Sequence, residues 1–152
     1  MLRHPAHLVA LGFGAGLVPV APGTAGTLVA LPIYWLIVGW LDPLGYLAVL
    51  AALFLLGVWA CERTGRALGA ADHPAIVWDE VVAFLAVLFF APATLAWQAG
   101  AFLLFRFFDI AKPPPIRYVD RTVKNGFGAM LDDALAAFYT VLVIALVKVL
   151  IE

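Results

Sequence analysis

From Ala129 to Ile151 the chain reads AMLDDALAAFYTVLVIALVKVLI. Its only charges are Asp132, Asp133 and Lys148. A helix rises about 1.5 Å per residue, so a stretch of this length crosses the roughly 30 Å hydrocarbon layer of a bilayer. A surface helix of a soluble domain would return polar residues every three or four positions. Here no charge recurs between Ala134 and Val147. The stretch reads as a membrane span with two carboxylates in its first turns. Ionisable groups there are expensive and usually functional.

The rest of the chain repeats the pattern. Of 152 residues, 65% are apolar and 12% are charged, against a usual charged share of about 25%. Mean hydropathy is +1.04. No Asp, Glu, Lys or Arg occurs from His4 to Leu41, from Pro43 to Cys61 or from Val81 to Phe105. Most charges fall in two windows, Glu62–Glu80 and Arg106–Asp133. A soluble protein spreads charge over its surface, whereas these windows mark one polar, working face. Nine basic and ten acidic residues nearly cancel, which excludes a nucleic-acid partner. Cys61 is the lone cysteine, so no internal disulfide forms.

The expected fold is all-α: one small polytopic membrane domain over residues 1–152, with about four apolar helical segments. Thr27–Leu41 is a short first span, and Asp42-Pro43-Leu44-Gly45 a tight turn. Tyr46–Cys61 returns across the bilayer, and Ala129–Ile151 is the last span. Trp35, Trp40, Tyr46 and Trp59 lie toward span ends, where aromatic rings favour the interface. Val81–Phe105 is long enough for one crossing, but that would separate the two charged windows. Both carry Arg or Lys and so favour the cytoplasmic side. The preferred reading is a hairpin broken at Pro92, partly re-entrant, with charged loops on the cytoplasmic face. His4–Val20 is interrupted by Pro19 and glycines and does not read as a secretory signal.

Four polar constellations punctuate this frame. Gly12-Phe13-Gly14-Ala15-Gly16 is followed by Ala21-Pro22-Gly23-Thr24-Ala25-Gly26-Thr27. Glycines let a backbone approach a ligand, and a helix capped by Thr24 or Thr27 would offer free amides to an anion. The same glycines suit close helix packing, and no Lys follows them to make a Walker loop. The second is Asp72-His73-Pro74-Ala75-Ile76-Val77-Trp78-Asp79-Glu80. Adjacent carboxylates repel unless a cation neutralises them, and carboxylate oxygens suit Mg²⁺. They equally complement a helix N-terminus.

The third is Arg106-Phe107-Phe108-Asp109-Ile110-Ala111-Lys112-Pro113-Pro114-Pro115-Ile116. Its proline run predicts an extended segment, and its Lys and Arg suit phosphate. The fourth is Asp120-Arg121 followed by Asn125-Gly126-Phe127-Gly128-Ala129-Met130-Leu131-Asp132-Asp133, with the glycines expected to turn into the last helix. Clustered carboxylates, a divalent metal and basic clamps make a metal-assisted phosphoryl-transfer site. Other chemistries drop out. The chain has no serine, His4, His7 and His73 lack zinc-ligand spacing, and Cys61-x₄-Arg66 is one residue short of a cysteine-phosphatase loop.

Taken together and in order, these four stretches resemble the phosphatidylglycerophosphatase A family over nearly the whole chain. The most specific parts are Ala21–Thr27, Ile76–Glu80, Phe107–Pro113 with Pro115-Ile116, and Gly126–Asp133. Ala83 is a departure, since the family is expected to favour glycine there, which bears on local helix packing. The resemblance implies a Mg²⁺-dependent lipid phosphatase of the bacterial inner membrane, its site facing the cytoplasm. Its reaction converts phosphatidylglycerophosphate to phosphatidylglycerol and phosphate.

On that reading Asp79, Glu80, Asp132 and Asp133 hold Mg²⁺, with Asp109 nearby. Thr24, Thr27 and the amides around Gly26 cradle the phosphate, while Lys112 with Arg106 or Arg117 neutralises it. Direct attack by water and an aspartyl-phosphate on Asp109 both remain open. Water is preferred, because no Asp-x-Asp-x-Thr signature occurs. The alternatives are another lipid phosphomonoesterase, a headgroup transferase (its Asp-Gly-x-x-Ala-Arg signature is absent) or a non-catalytic transport or scaffold subunit.

Overall fold

A computed structural model describes residues 4–69, 73 and 75–151. Asp72, Pro74 and Glu152, named among the polar positions or at the chain end, lie outside the described residues. Every regular element described is helical. These elements are α1 (Pro5–Ala10), a 3₁₀ segment (Gly12–Leu17), α2 (Pro22–Val38), α3 (Pro43–Leu68), α4 (Trp78–Phe90), α5 (Leu95–Ala111), α6 (Ile116–Thr122) and α7 (Gly126–Ile151).

Only α3 and α7 are both long and apolar enough to cross a membrane, and α2 is a shorter apolar helix. In the most apolar window of each long helix just 22% of residues are buried, too few for the core of a soluble bundle. Phe138, Leu142, Leu146 and Leu150 form an exposed apolar stripe along α7 at a spacing of four. Such a stripe is stable against hydrocarbon and unfavourable against water. The chain is a membrane protein on this evidence.

Burial is concentrated instead on α4. Val81, Phe84, Leu85 and Val87 are wholly enclosed, and α2, α3, α5 and α7 all pack against this helix. Its 13 residues span only about 20 Å, well short of a bilayer. After Phe90 the chain breaks at Ala91–Thr94, where Pro92 interrupts the helical pattern. Thr94 then caps α5 by accepting a hydrogen bond from the Trp97 amide at 3.4 Å. The α5 helix runs back along α4, with Phe84 against Phe102 and Phe105. The hairpin therefore brings both charged windows to one end of the bundle.

Several local expectations give way. Asp42-Pro43-Leu44-Gly45 is not a free-standing turn but the start of α3, with Pro43 in the first helical turn. The Asp42 carboxylate accepts the Gly45 amide at 2.8 Å, and Pro needs no amide partner at that position. The α3 helix also continues beyond Cys61, carrying Glu62, Arg63 and Arg66 in its last turns, and ends where Gly69 adopts φ +78°. The first apolar helix is displaced toward the N-terminus, Pro22–Val38 rather than Thr27–Leu41. Tyr46 is not an interfacial anchor: it is buried and donates to the Leu85 carbonyl at 2.6 Å. Trp35, Trp40 and Trp59 are exposed, as an interfacial position requires.

Candidate active site

The charged end gathers side chains from α4, α5 and α7. Asp79 and Glu80 occupy the first turn of α4, and Asp132 and Asp133 lie near the start of α7. In the first turn of α4 the carboxylates complement the positive end of the helix dipole, whereas Asp132 and Asp133 lie a turn deeper in α7. Arg106 and Asp109 come from the last turns of α5, and Lys112 caps that helix. Lys112 holds φ +48°, a left-handed conformation that costs a non-glycine residue free energy and is sustained by its surroundings.

The carboxylates fall into two overlapping triplets. Ligand oxygens of Asp79, Asp132 and Asp133 lie within 4.8 Å of one another, as do those of Glu80, Asp109 and Asp133. All are buried except Glu80, which is partly exposed. Asp79 also accepts the Glu80 amide at 2.9 Å. Burial pushes the Asp79 carboxyl well above the usual carboxylate range, and the neighbouring Glu80 charge adds to the effect. This is the condition that a bound cation relieves.

Two cations of the chain reach the cluster. Arg106 Nη1 donates to Glu80 Oε2 at 3.2 Å and also to Asp109 Oδ2. Lys112 Nζ lies 3.5 Å from Asp132 Oδ2 and 3.8 Å from Asp120 Oδ1. Burial works against the Lys112 ammonium, but Asp132, Asp109, Asp133 and Asp120 together outweigh it and hold the group above its usual range. Among the described residues neither Asp79 nor Asp133 has an ion-pair partner.

Two buried atoms at this site have no hydrogen-bond partner among the described residues: the acceptor Asp133 Oδ2 and the donor Arg106 Nε. Buried polar groups are nearly always satisfied, so each of these atoms leaves room for a partner from outside the chain. The first suits a cation, the second an anionic oxygen. Asp79, Asp132 and Asp133 offer only hard carboxylate oxygens, a donor set that fits Mg²⁺.

The other phosphate candidates are placed differently. Thr27 is inside α2 and does not cap it. Its hydroxyl donates to the Gly23 carbonyl at 2.8 Å and approaches Glu80 Oε2 at 3.4 Å, which seats it beside the acidic cluster. Pro22-Gly23 is the opening turn of α2, not a separate turn, and Ala21 at the cap position supplies no side-chain bond. Thr24 accordingly caps nothing and is partly exposed in that first turn. Gly26 faces Val77, where an added Cβ would lie 2.4 Å from the Val77 Cβ. Arg117 is exposed on α6, and its guanidinium donates to the Ala111 carbonyl at 3.4 Å.

The glycine-rich stretch serves packing. A Cβ at Gly16 would lie 1.9 Å from the Ala75 carbonyl oxygen, so only glycine lets the 3₁₀ segment close on residues 75–77. The Val77 amide donates to the Ala10 carbonyl at 2.9 Å, which fixes the approach to Asp79 and Glu80. The proline run is not extended. Ile116 N donates to the Pro113 carbonyl at 2.8 Å, closing a turn whose Pro114–Pro115 bond is cis. Tyr139 on α7 holds it by donating to the Pro114 carbonyl at 2.7 Å. The glycines Gly126 and Gly128 belong to α7 itself, with Asn125 accepting the Gly128 amide at 2.8 Å.

Two positioning residues escaped the sequence reading. A Cβ at Gly23 would lie 2.7 Å from Glu80 Oε2, so glycine here lets α2 touch the cluster. The Ala21–Thr27 motif was the available signal. Glu62 Oε2 accepts the Gly126 amide at 2.6 Å and ties the start of α7 to α3. No spacing in the sequence announces a bond across 64 positions.

The chain is similar to known proteins over most of its length. The sequence profile of the family described as Phosphatidylglycerophosphatase A matches residues 8–148. A Phosphatidylglycerophosphatase A of Haemophilus influenzae is 48% identical over 145 residues, covering 94% of this chain and 88% of that protein. One from Escherichia coli K12 is 40% identical over 136 residues, covering 89% and 78%. A Bacteroides thetaiotaomicron protein, provisionally named a phosphatidylinositol-3-phosphatase, is 38% identical over 149 residues, covering 93% and 92%. No solved structure matches the chain. All of the motifs that build the charged end fall within the matched residues, and the chain belongs to the phosphatidylglycerophosphatase A family.

Proposed function

We propose that this chain hydrolyses phosphatidylglycerophosphate to phosphatidylglycerol and phosphate, with Mg²⁺ at the carboxylate cluster. Its charged end would face the cytoplasm of a bacterial inner membrane that the chain crosses more than once. The observation that carries the chemistry is that, at one charged end, Asp133 Oδ2 and Arg106 Nε are both buried without a hydrogen-bond partner among the described residues. The first asks for a cation and the second for a phosphate oxygen. Membership of the family supports the substrate. Basic residues at the charged end support the orientation.

Asp79, Asp132 and Asp133 would hold the metal, with Glu80 and Asp109 beside them. Mg²⁺ bound there supplies Lewis-acid polarisation of a phosphoryl group and an activated water. Arg106 Nε would donate a charge-assisted hydrogen bond to an oxygen of the incoming phosphate, while its Nη1 stays on Glu80 and Asp109. Lys112 remains protonated and so acts as an electrostatic clamp on the phosphate, not as the acid that protonates the leaving oxygen. Water forms the new bond to phosphorus, and the bond to the glycerol oxygen breaks. The departing alkoxide takes a proton to become phosphatidylglycerol. Direct attack by water is favoured over an aspartyl-phosphate because the Asp109 carboxylate is already engaged by Arg106.

The test is phosphate release from phosphatidylglycerophosphate by the purified chain in detergent. Activity should vanish with EDTA and return with Mg²⁺. Asp79→Asn should lose at least about 100-fold, more than the 10–100-fold typical of groups one step removed from a metal. Wild-type turnover in Asp79→Asn would remove it from the metal site. The Bacteroides relative's name motivates phosphatidylinositol 3-phosphate as a parallel substrate, and faster release from that lipid would reassign the headgroup.

A further inference from the structure

An apolar groove of about 480 Å³ runs between α3, α4 and α7. Its volume lies within the roughly 300–1,000 Å³ of ordinary ligand pockets. Asp79 is the sole polar residue that lines it. Asp79 also belongs to the triplet with Asp132 and Asp133, so the groove is continuous with the acidic cluster. From there it follows the helices away from the charged end. Asp79, Val82, Ala83 and Ala86 line it from one face of α4, at helical spacing. The α3 contribution extends from Leu55 to Leu47, about 12 Å along the axis.

Small side chains make the space. Ala83 and Ala86 on α4 face Ala134 and Ala137 on α7, where larger residues would close the gap. Ala83, the departure from the expected family glycine, is one of these lining positions. The walls, α3 and α7, are the two helices long and apolar enough to cross a membrane. Ala51 and Leu55 on the rim are exposed. A groove so bounded opens sideways into hydrocarbon, and a polar competitor for it is absent at that depth.

We propose that this groove seats the upper part of one acyl chain of the lipid substrate, aligning the headgroup phosphate with the carboxylates. The assignment rests on the lipid-phosphatase reading and names how that lipid is held. An occupant must be apolar along its length and anionic at the end that meets Asp79 and its cation, and a phospholipid phosphomonoester combines both. The chain enters laterally from the bilayer, so the lipid need not leave the membrane for its phosphate to reach the site.

The test uses full-length protein in phosphatidylethanolamine–phosphatidylglycerol vesicles. A non-hydrolysable phosphonate analogue of phosphatidylglycerophosphate carrying a diazirine on one acyl chain is added with Mg²⁺, so labelling does not depend on turnover. Crosslinks should map to the groove faces of α3, α4 and α7 and should fall at least fivefold in Ala51→Phe and in Ala86→Phe. Steady-state assays should show the preference for dioleoyl over deacylated substrate falling at least tenfold in the same variants. Ala51 lies on the rim, so its variant fills the groove without entering the core, and an unchanged melting temperature verifies this. Labels confined to other faces, crosslinks to a second copy of the chain, or an unaltered substrate preference would each overturn the proposal. Failure of the wild type to release phosphate from any lipid would instead strike the functional reading, and the labelling result would stand separately.

Discussion

The two carboxylate triplets share Asp133 but differ in what neutralises them. Glu80 and Asp109 are bridged by Arg106, a cation built into α5. In the other triplet Lys112 reaches Asp132, while Asp79 and Asp133 have no ion-pair partner among the described residues. An uncompensated buried charge is costly, and it is relieved either by protonation, the direction in which burial pushes Asp79, or by a bound cation. The difference separates two tasks within one acidic cluster. Under the proposed function the Arg-bridged side would position a guanidinium for an anion, and the side without a built-in cation would receive the metal.

Asp133→Asn should break this division most severely, because it removes the residue common to both triplets. A metal's contribution of several kcal/mol to phosphoryl transfer corresponds to a loss of about 10³-fold or more in kcat. Isothermal titration should show Mg²⁺ binding weakened in parallel. Near-normal Mg²⁺ affinity in this variant would mean that the cation sits elsewhere. Arg106→Gln should act on the other side of the comparison. Removing a preorganised charge from the phosphate costs about 10²-fold in kcat/KM, expressed chiefly in KM for the lipid, with Mg²⁺ half-saturation little changed. Equal shifts in Mg²⁺ dependence for the two variants would erase the distinction between triplets.

Thr27→Val should have the smallest effect. Its hydroxyl is already satisfied by the Gly23 carbonyl and only grazes Glu80 at 3.4 Å. Loss of one neutral hydrogen bond is worth about 1 kcal/mol, or roughly fivefold in kcat/KM. A loss matching that of Arg106→Gln would assign Thr27 a direct bond to the phosphate.

Much of this site could be read before any coordinates. Asp79, Glu80, Asp109, Asp132 and Asp133 stand out because carboxylates beside long apolar runs are costly in hydrocarbon, although Asp79 and Glu80 alone would equally suit a helix N-terminus. The break at Pro92 was equally legible, since proline removes a donor and the basic windows needed one face. The glycines were harder. Gly16 and Gly26 sit in motifs that would suit a phosphate loop, yet they face Ala75 and Val77. A glycine that admits a ligand and one that admits a neighbouring backbone look alike in sequence, because both work through the missing Cβ. Thr24, named as a cap, misled for a related reason. Capping depends on which residue immediately precedes the first helical one, and Ala21 holds that place.

The sequence by itself determined the solvent and the chemistry. Apolar length sets whether a helix can cross a bilayer, and residue type sets whether a group can ligate a metal or grip a phosphate. Both are properties of short stretches. Tertiary structure alone decided which charges meet: Arg106 with Glu80 across 26 positions, Glu62 with the Gly126 amide across 64. It also left Asp79 and Asp133 without an ion-pair partner among the described residues and opened an apolar groove lined by Asp79. Such pairings depend on how the helices pack against α4, where burial of Phe84, Leu85 and Val87 fixes the register of every neighbour.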